Sequence, residues 1–373
     1  MKIVIAFDSF KDSISSTEAC TITRDILLSR GIDAIIKPMA DGGEGTAAAI
    51  LAASDGQWIP VRVMGPLPHM RIDSGFAWFP STQRALVEMA SASGITLLNR
   101  IDRNPMLTTT FGTGELIAAA IQHGARHIWL AVGGSATIDG GIGAAQALGW
   151  HICDTTGAPV VYGGQALAHI VSIRQPDGWD MPPVEVLCDV DNPLCGKCGA
   201  ATIYGPQKGA TPAMVTVLDD GLRNLSKIVT RDMKVDIVEM PGSGAAGGLG
   251  GGAAAFFNAT LVSGIETVMQ VSGLPAAMDG ADWIITGEGA FDRQSLMGKV
   301  VSGIIRVAKS THTKVAIIAG TVKLKPDEYR HAGVMWAAAL KKPRMCLDES
   351  IDRCRELLAV RVEEFILSLE KNQ

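Results

Sequence analysis

The sequence predicts an α/β protein with two domains and mainly parallel β-sheets. Short apolar runs rich in β-branched residues recur along the 373-residue chain. Most of these runs lack the polar–apolar alternation of half-exposed strands, as is typical of strands buried on both faces of a parallel sheet. Helical patterns separate the runs, and strand–helix alternation is the arrangement that parallel sheets require. A chain of this length ordinarily forms two domains.

The predicted strands of the parallel sheets are the apolar runs Lys2–Phe7, Ala34–Pro38, Ile128–Val132, Val184–Leu187, Val235–Met240, Trp283–Thr286, Val315–Ala319 and Val334–Ala338. The first helix is predicted to begin after Ser15, because Ser15 and Glu18 have the spacing of a capping box. The last helix is indicated by an apolar stripe that runs from Ile351 to Leu369, with charged residues opposite it.

The middle of the chain differs, because three strand-like runs follow one another without a helix between them: Gln57–Val63, Arg71–Phe79 and Ala85–Met89. We therefore predict a large mixed α/β domain inserted at residues 59–281. Residues 1–58 and 282–373 would together form a discontinuous, Rossmann-like domain of three layers around a mainly parallel sheet.

The overall charge disfavours nucleic acid and anionic membranes as partners. Thirty-three basic and 38 acidic residues give a net charge of −5, whereas both partners attract basic surfaces. No apolar stretch approaches the ~18 residues of a membrane span, and the apolar run Ile3–Phe7 is too short for a signal peptide. Seven cysteines, an odd number in a long chain, are typical of reduced thiols. We therefore expect a cytoplasmic protein with small-molecule ligands, and the sequence is silent on its oligomeric state.

One short segment occurs twice. Residues 41–50 (DGGEGTAAAI) and 139–148 (DGGIGAAQAL) are identical at six of ten positions. Each predicts a glycine-rich loop that opens a helix. Two interpretations stay open: tight turns used independently, or two helix N-termini that bind anions in one site.

A second glycine motif, Gly242-x-Gly244-x-x-Gly247, follows a predicted strand and opens a predicted helix. This is the context of a dinucleotide-binding fingerprint, and Glu266 follows at about the required distance. The glycines continue to Gly252, however, and so dense a run is better explained by close approach of the backbone to a phosphate or to another helix.

Acidic residues lie in turns at the ends of predicted strands: Asp8, Asp41, Glu44, Asp139, Asp189, Asp191, Glu288 and Asp292. In an α/β fold the carboxyl ends of the strands form the ligand crevice. Carboxylates gathered there suit Mg²⁺, which is held by a few carboxylates, waters and substrate phosphates. Each residue taken singly is explained as well by a turn or a helix cap, so it is their number that indicates a site.

Basic and hydroxyl side chains accompany these carboxylates: Lys11, Lys208, Arg293, Lys299, Ser135 and Thr137. Cations in such company neutralise phosphate or hold a substrate carboxylate. The ordinary alternatives are a solvated surface cation and a hydroxyl that caps a helix.

Taken together, these residues fall in eight ordered motifs through which the chain resembles the bacterial glycerate kinases of sugar-acid catabolism, which form 2-phosphoglycerate. The motifs are AFDSFK (6–11), ADGGEGT (40–46), GTGEL (112–116), GGSAT (133–137) with DGG (139–141), CDVDNP (188–193), GPQKG (205–209), GSGAAGG (242–248), and TGEG (286–289) with Asp292 and Gly298-Lys299. The resemblance covers nearly the whole chain. It implies two α/β domains with the active site between them, and transfer of the γ-phosphoryl group of ATP to a hydroxyl of D-glycerate with Mg²⁺.

Candidate roles follow from position in these motifs. Asp189 or Asp41 would orient or deprotonate the acceptor hydroxyl, and Lys11 and Lys208 would neutralise phosphate or the glycerate carboxylate. The candidate ATP-binding residues are Gly133, Gly134, Ser135, Thr137, Gly242, Gly244, Gly247, Gly248 and Lys299. The candidate substrate-binding residues are Asp8, Ser9, Glu44, Asn192 and Arg293. The candidate Mg²⁺ ligands are Glu288 and Asp292.

The chain departs from the family pattern at Ala290, where the family usually has arginine. It also has Phe7 and Ile138 where proline and asparagine are usual. An arginine lost from a phosphate-handling loop lowers the rate by orders of magnitude if it stabilises charge in the transition state. Three alternatives therefore stay open: a kinase of another small hydroxy acid or of the 3-hydroxyl, a non-catalytic relative that binds nucleotide or sugar acid, and a nicotinamide enzyme.

Overall fold

The computed structural model describes residues 1–297 and 300–370. Its strands are β1 (Lys2–Phe7), β2 (Asp33–Ile36), β3 (Gln57–Met64), β4 (Arg71–Phe79), β5 (Arg84–Glu88), β6 (His127–Ala131), β7 (His151–Cys153), β8 (Ser172–Arg174), β9 (Val184–Leu187), β10 (Thr260–Val262), β11 (Trp283–Gly287), β12 (Ala290–Phe291), β13 (Lys314–Ala319), β14 (Thr321–Val322) and β15 (Val334–Ala339). Its α-helices are α1 (Ser16–Ser29), α2 (Thr46–Leu51), α3 (Ala90–Ser93), α4 (Phe111–His123), α5 (Ile142–Ala147), α6 (Ala200–Tyr204), α7 (Pro212–Met233), α8 (Ala245–Phe257), α9 (Gly264–Val271), α10 (Leu274–Met278), α11 (Val300–Thr311), α12 (Pro326–Ala332), α13 (Leu347–Asp352) and α14 (Cys354–Glu370).

The chain forms two compact units. Of the described residues, the first comprises 1–41, 48–54, 265–297 and 300–370, and the second comprises 42–47 and 55–264. The segment 265–281, which the sequence analysis assigned to the inserted domain, is thus grouped with the first unit. Its helix α9 packs closely on α11, because a Cβ at Gly303 would lie 2.9 Å from the Ile265 side chain. The domain limits at 59 and 282 stay predictions.

The first unit is built on a sheet with the strand order β15-β13-β11-β1-β2, in which all neighbouring strands are parallel. Val4 and Ile5 point to opposite faces of the sheet, and both are fully buried. Helices α1 and α14 share a cluster of buried side chains with Ile5. Helix α11 contacts β11 and β13 without joining that cluster. Helices therefore cover both faces, which confirms the predicted parallel, three-layer arrangement.

The second unit is built on a mixed sheet with the strand order β10-β9-β6-β5-β4-β3. The strands β10, β9, β6 and β5 are parallel to one another, whereas β5, β4 and β3 pair in antiparallel fashion. The predicted mixed character is confirmed. Because parallel strands end at the same edge of a sheet, the loops that follow β5, β6, β9 and β10 lie side by side.

The predicted strand at Val235–Met240 is wrong. Helix α7 ends at Met233, and the backbone of the capping residue Lys234 is left-handed (φ 63°). The Val238 N–H then donates to Asp236 Oδ1 at 3.0 Å, which closes a side-chain turn. Ile237 is fully buried, so the apolar run reflects packing of an irregular segment. Sequence reasoning also treated the C-terminal helix as continuous from Ile351, whereas the structure divides it into α13 and α14.

Candidate active site

In the first unit, the acidic residues Asp8 and Glu288 follow neighbouring strands. Asp8 comes directly after β1 and Glu288 directly after β11, and the Asp8 N–H donates to the carbonyl oxygen of Gly287 at 3.0 Å. The chain after β2 continues the sheet pairing, since the Met39 N–H donates to the Phe7 carbonyl oxygen at 2.9 Å. This pairing directs Asp41 to the same edge. The sequence-based expectation that the carboxylates gather at strand ends holds for these three.

Asp8 is the carboxyl group whose titration this environment changes. Burial raises its pKa to about 7, and the charges of Asp41 and Glu288 raise it as well. The Ser9 N–H, which donates to Asp8 Oδ1 at 2.6 Å, and the Lys11 ammonium oppose that rise. Retention of a proton near neutral pH is the response first to burial and then to the neighbouring negative charges. The edge is thus electronegative, with the Lys11 ammonium nearby, and it suits a cationic ligand.

The residues that follow Glu288 have protein partners. The Asp292 carboxylate accepts the Gln294 N–H at 3.0 Å and pairs with Lys323 at 3.2 Å. Arg293 pairs with Glu328 at 2.9 Å, and its side chain is 83% exposed. Arg293 is therefore held at the surface by an acid of α12. The predicted ATP contact Lys299 lies outside the described residues.

In the second unit, the carboxyl edge of the parallel strands carries Asp189, which follows β9. Its Oδ1 accepts a hydrogen bond from the Ser263 hydroxyl at 2.7 Å. Ser263 follows β10, the strand beside β9. Sequence reasoning missed Ser263, because β10 is only three residues long and offers no pattern to place its end. The bond fixes the orientation of the Asp189 carboxylate.

The first copy of the repeated segment lies across this same edge. The Gly133 N–H donates to the carbonyl oxygen of Gly42 at 3.4 Å, and a Cβ at Gly42 would lie 2.9 Å from the carbonyl oxygen of Leu187. Glu44 is exposed, and its Oε2 lies 3.7 Å from where a Cβ of Gly134 would stand. The predicted residues Glu44, Gly133 and Gly134 are thus brought together.

Lys208 lies underneath the loop that contains Ser135 and Thr137. Its side chain is 2% exposed, and its Nζ donates to Ser135 Oγ at 2.6 Å and to the Thr137 carbonyl oxygen at 2.8 Å. Burial lowers the pKa of Lys208 to about 7, and the charge of Asp139 opposes that shift. The predicted phosphate-neutralising ammonium is therefore turned inward, where it holds the loop in shape.

The second copy of the repeated segment is internal. Asp139 is 0% exposed, and its carboxylate accepts hydrogen bonds from the Thr110 N–H at 2.8 Å, the Thr110 hydroxyl at 2.9 Å and the Gly141 N–H at 3.1 Å. Burial raises its pKa, against the effect of those hydrogen bonds. Asp41, by contrast, is exposed. The two copies therefore have different roles, and the interpretation as paired anion sites is not supported.

The glycines of residues 242–248 are packed against protein backbone. A Cβ at Gly247 would overlap the carbonyl oxygen of Thr137, and one at Gly244 would overlap that of Pro193. A Cβ at Gly248 would lie 2.9 Å from Gly140 Cα. The strand that a dinucleotide fingerprint requires before these glycines is absent from residues 235–241. The sequence-based interpretation left open approach to a phosphate or to another helix, and the close neighbours of these glycines in the structure are backbone atoms of other loops.

Asn192, a predicted substrate-binding residue, is engaged inside the second unit. Its Oδ1 accepts the Tyr204 hydroxyl at 2.6 Å, and its Nδ2 donates to the Cys198 carbonyl oxygen at 2.9 Å. These bonds hold the turn after Asp189. Each polar atom of the Asn192 side chain thus has one partner within the second unit.

Within the described ranges, 1–297 and 300–370, no group of three or more His, Cys, Asp or Glu side chains has the arrangement of a metal site. None of the helices in those ranges is long and apolar enough to cross a membrane.

Comparison with known proteins relates the whole chain to one family. Residues 3–370 match the glycerate kinase family. The chain is 44% identical over 331 residues to the glycerate kinase of Haemophilus influenzae, with 87% of this chain and 86% of that protein covered. It is 41% identical over 330 residues to the glycerate 2-kinase of Escherichia coli, with 86% of each covered. A crystal structure from Salmonella typhimurium LT2, described as a candidate glycerate kinase 2, is 38% identical with a TM-score of 0.85 and covers 100% of this chain and 99% of its own. With this family match over nearly every residue, the chain belongs to the glycerate kinase family.

Proposed function

We propose that this protein phosphorylates D-glycerate with ATP and forms 2-phosphoglycerate. The observation that carries the proposal is the family match over residues 3–370. The two carboxylate-lined strand edges support it, because phosphoryl transfer needs positioning and charge neutralisation more than covalent chemistry. The reaction is placed in the cytoplasm, where ATP is available and thiols such as the seven free cysteines stay reduced.

Asp189 is the preferred group for orienting or deprotonating the acceptor hydroxyl. Its carboxylate is half-buried, and the Ser263 hydroxyl fixes one of its oxygens. The carboxylate is thereby held in a defined orientation, which is what general base catalysis needs. Asp41 is the alternative base, and it is more exposed.

The loop at residues 133–137 is proposed to contact the nucleotide phosphates. Gly134 is exposed in this loop and lies close to Glu44, so its backbone is the part of the loop proposed to reach the phosphates. Lys208 holds the loop from below through Ser135 and Thr137, so its part in binding is to preserve the loop geometry. Lys11 is exposed and lies near Asp8, and it is proposed to neutralise anionic substrate groups.

Mg²⁺ is proposed to accompany ATP and to neutralise charge on its phosphates. Glu288 fits this role, because its carboxylate belongs to the electronegative edge that raises the pKa of Asp8. Mg²⁺ commonly takes only one or two protein carboxylates and fills its shell with water and phosphate oxygens. Asp292 fits less well, since Lys323 and the Gln294 N–H already engage it.

Phosphorus NMR of purified protein with Mg-ATP and D-glycerate tests the proposal. A new monoester signal assigned to 2-phosphoglycerate is the expected result, and it would also show that Ala290 is compatible with turnover. A 3-phosphoglycerate signal would refute the 2-hydroxyl assignment. No monoester from either the wild type or Ala290→Arg would refute the kinase proposal for this substrate. Activity that appears only in Ala290→Arg would assign the defect to position 290.

A further inference from the structure

Glu88 is a buried acid at the carboxyl end of β5. Its side chain is only 9% exposed, and Oε1 accepts the Ala47 N–H at 2.6 Å. The backbone N–H groups of Gly45 and Thr46 lie near enough to this carboxylate to lower its pKa, and the Thr46 N–H also donates to the Gly43 carbonyl oxygen at 3.4 Å. They lie at the start of α2, where a helix leaves its own amides without partners. The ionised carboxylate thus turns only acceptor oxygens toward the N–H groups of this turn, whereas a glutamine has one acceptor oxygen and an NH₂ group that donates.

The segment that Glu88 holds is also fixed at the two neighbouring strand ends. Gly42 lies against the carbonyl oxygen of Leu187 at the end of β9. Its own carbonyl oxygen accepts the Gly133 N–H beyond the end of β6. Since β9, β6 and β5 are adjacent, the loop at residues 42–47 crosses three strand ends and is attached at each. Glu44, on this loop, is left exposed beside Gly134.

We propose that Glu88 is a positioning residue for the reaction: its ionised carboxylate holds the loop at residues 42–47 in the geometry that presents Glu44 to the substrate. This inference rests on the proposed function, because only the kinase assay measures what the loop does. Glu88 itself touches no substrate. In this role it differs from a residue that merely fills the core, because its effect depends on charge.

The protonation state of Glu88 is expected to change near neutral pH. Burial raises its pKa to about 7, the hydrogen bonds from Ala47, Gly45 and Thr46 lower it, and the charge of Glu44, the ionisable group that faces it, raises it. Protonation removes an acceptor and adds a donor that faces other donors. The loop is therefore held by fewer bonds below pH 7 than above it.

The kinetic test compares Glu88→Gln with Glu185→Gln. Glu185 lies on β9 of the same sheet and accepts the Trp129 Nε1–H at 2.8 Å, so it controls for loss of one hydrogen-bonded carboxylate. Glu88→Gln should lower kcat/KM for glycerate at pH 8 at least ~10-fold, while KM for ATP stays close to that of the wild type. Glu185→Gln should resemble the wild type throughout.

The ratio of wild-type to Glu88→Gln kcat/KM should fall toward 1 as the pH drops through about 7, because protonated Glu88 is as neutral as the amide. Taking the ratio cancels titrations common to both proteins, including that of Asp8. A ratio that is independent of pH, a ratio near 1 at pH 8, or an equal loss in Glu185→Gln would overturn the proposal.

Amide hydrogen exchange of residues 42–51 supplies a readout without turnover. Glu88→Gln should exchange at least ~10-fold faster than Glu185→Gln in this segment at pH 8, since the start of α2 loses acceptors. Unchanged exchange would overturn the proposal even if the rate falls. If Glu88→Gln exchanges faster but the wild type makes no phosphorylated product, the kinase function is refuted. The conclusion that Glu88 holds the loop would then still stand.

Discussion

Replacing Gly247 by alanine tests whether the glycines of residues 242–248 serve packing or phosphate binding. Gly247 has φ +70°, and an added Cβ would overlap the Thr137 carbonyl oxygen and stand 2.7 Å from Ile138 Cα. The left-handed backbone costs alanine about 1–2 kcal/mol. Overpacking against rigid backbone adds about 1–3 kcal/mol. Displacement of the Gly247 carbonyl oxygen from the Gly140 N–H, now at 3.0 Å, adds about 1 kcal/mol.

Gly178→Ala is the matched control, because Gly178 has φ +66° and nothing within 4 Å of an added Cβ. Urea unfolding followed by circular dichroism should show a loss of about 1–2 kcal/mol for the control. Gly247→Ala should lose about 2–4 kcal/mol more, at an unchanged m-value. Equal losses in the two variants would refute the packing argument. If Gly247→Ala instead raised KM for ATP with control-like stability, the phosphate-binding interpretation would return.

Three further predictions concern single carboxylates and one arginine. Asp189→Asn should lower kcat at least ~100-fold with an unchanged far-UV spectrum, and near-normal turnover would remove Asp189 as the base. Between pH 5 and pH 8, the wild type should lose roughly 2–3 kcal/mol of unfolding free energy relative to Glu88→Gln. The sign follows because the folded pKa of about 7 lies above the ordinary 4.5 of glutamate, so the folded state keeps its proton up to about pH 7 while the unfolded state has lost it; a loss that grows toward acid pH in urea titrations would contradict this reasoning. Arg293→Gln should leave the steady-state KM for glycerate unchanged, because Arg293 pairs with Glu328 and is 83% exposed, and a marked rise in KM would assign Arg293 to the substrate.

The opposing effects of Glu88 on stability and on the proposed reaction have one physical origin. Its ionised form is disfavoured by burial, yet only that form turns two acceptor oxygens toward the N–H groups of the loop. A pH at which Glu88 is ionised therefore strengthens its hold on the loop and lowers the free energy of unfolding of the protein. Such a conflict is common where a site must be held in a strained or charged arrangement.

Sequence patterns predicted strands correctly where an uninterrupted apolar run coincides with a strand buried on both faces of a sheet. Lys2–Phe7 and Val184–Leu187 were predicted with the limits that the structure has, because strands buried on both faces leave an uninterrupted apolar run. The same rule failed at Val235–Met240, where Ile237 is buried without a strand. An apolar run records burial, and the hydrogen bonds that make a strand depend on neighbours elsewhere in the chain.

The sequence by itself determined that carboxylates would gather at strand ends, since strand order along an α/β chain directs successive loops to one edge. Only the tertiary structure decided which of them are available. Asp41 and Asp139 begin segments that are identical at six of ten positions, yet Asp139 is fully buried and Asp41 is exposed. Lys208 likewise is of a residue type that often contacts phosphate, but its Nζ is turned toward Ser135 and Thr137. The direction of a side chain is set by the atoms that surround it in the fold, and these come from segments far apart in the sequence.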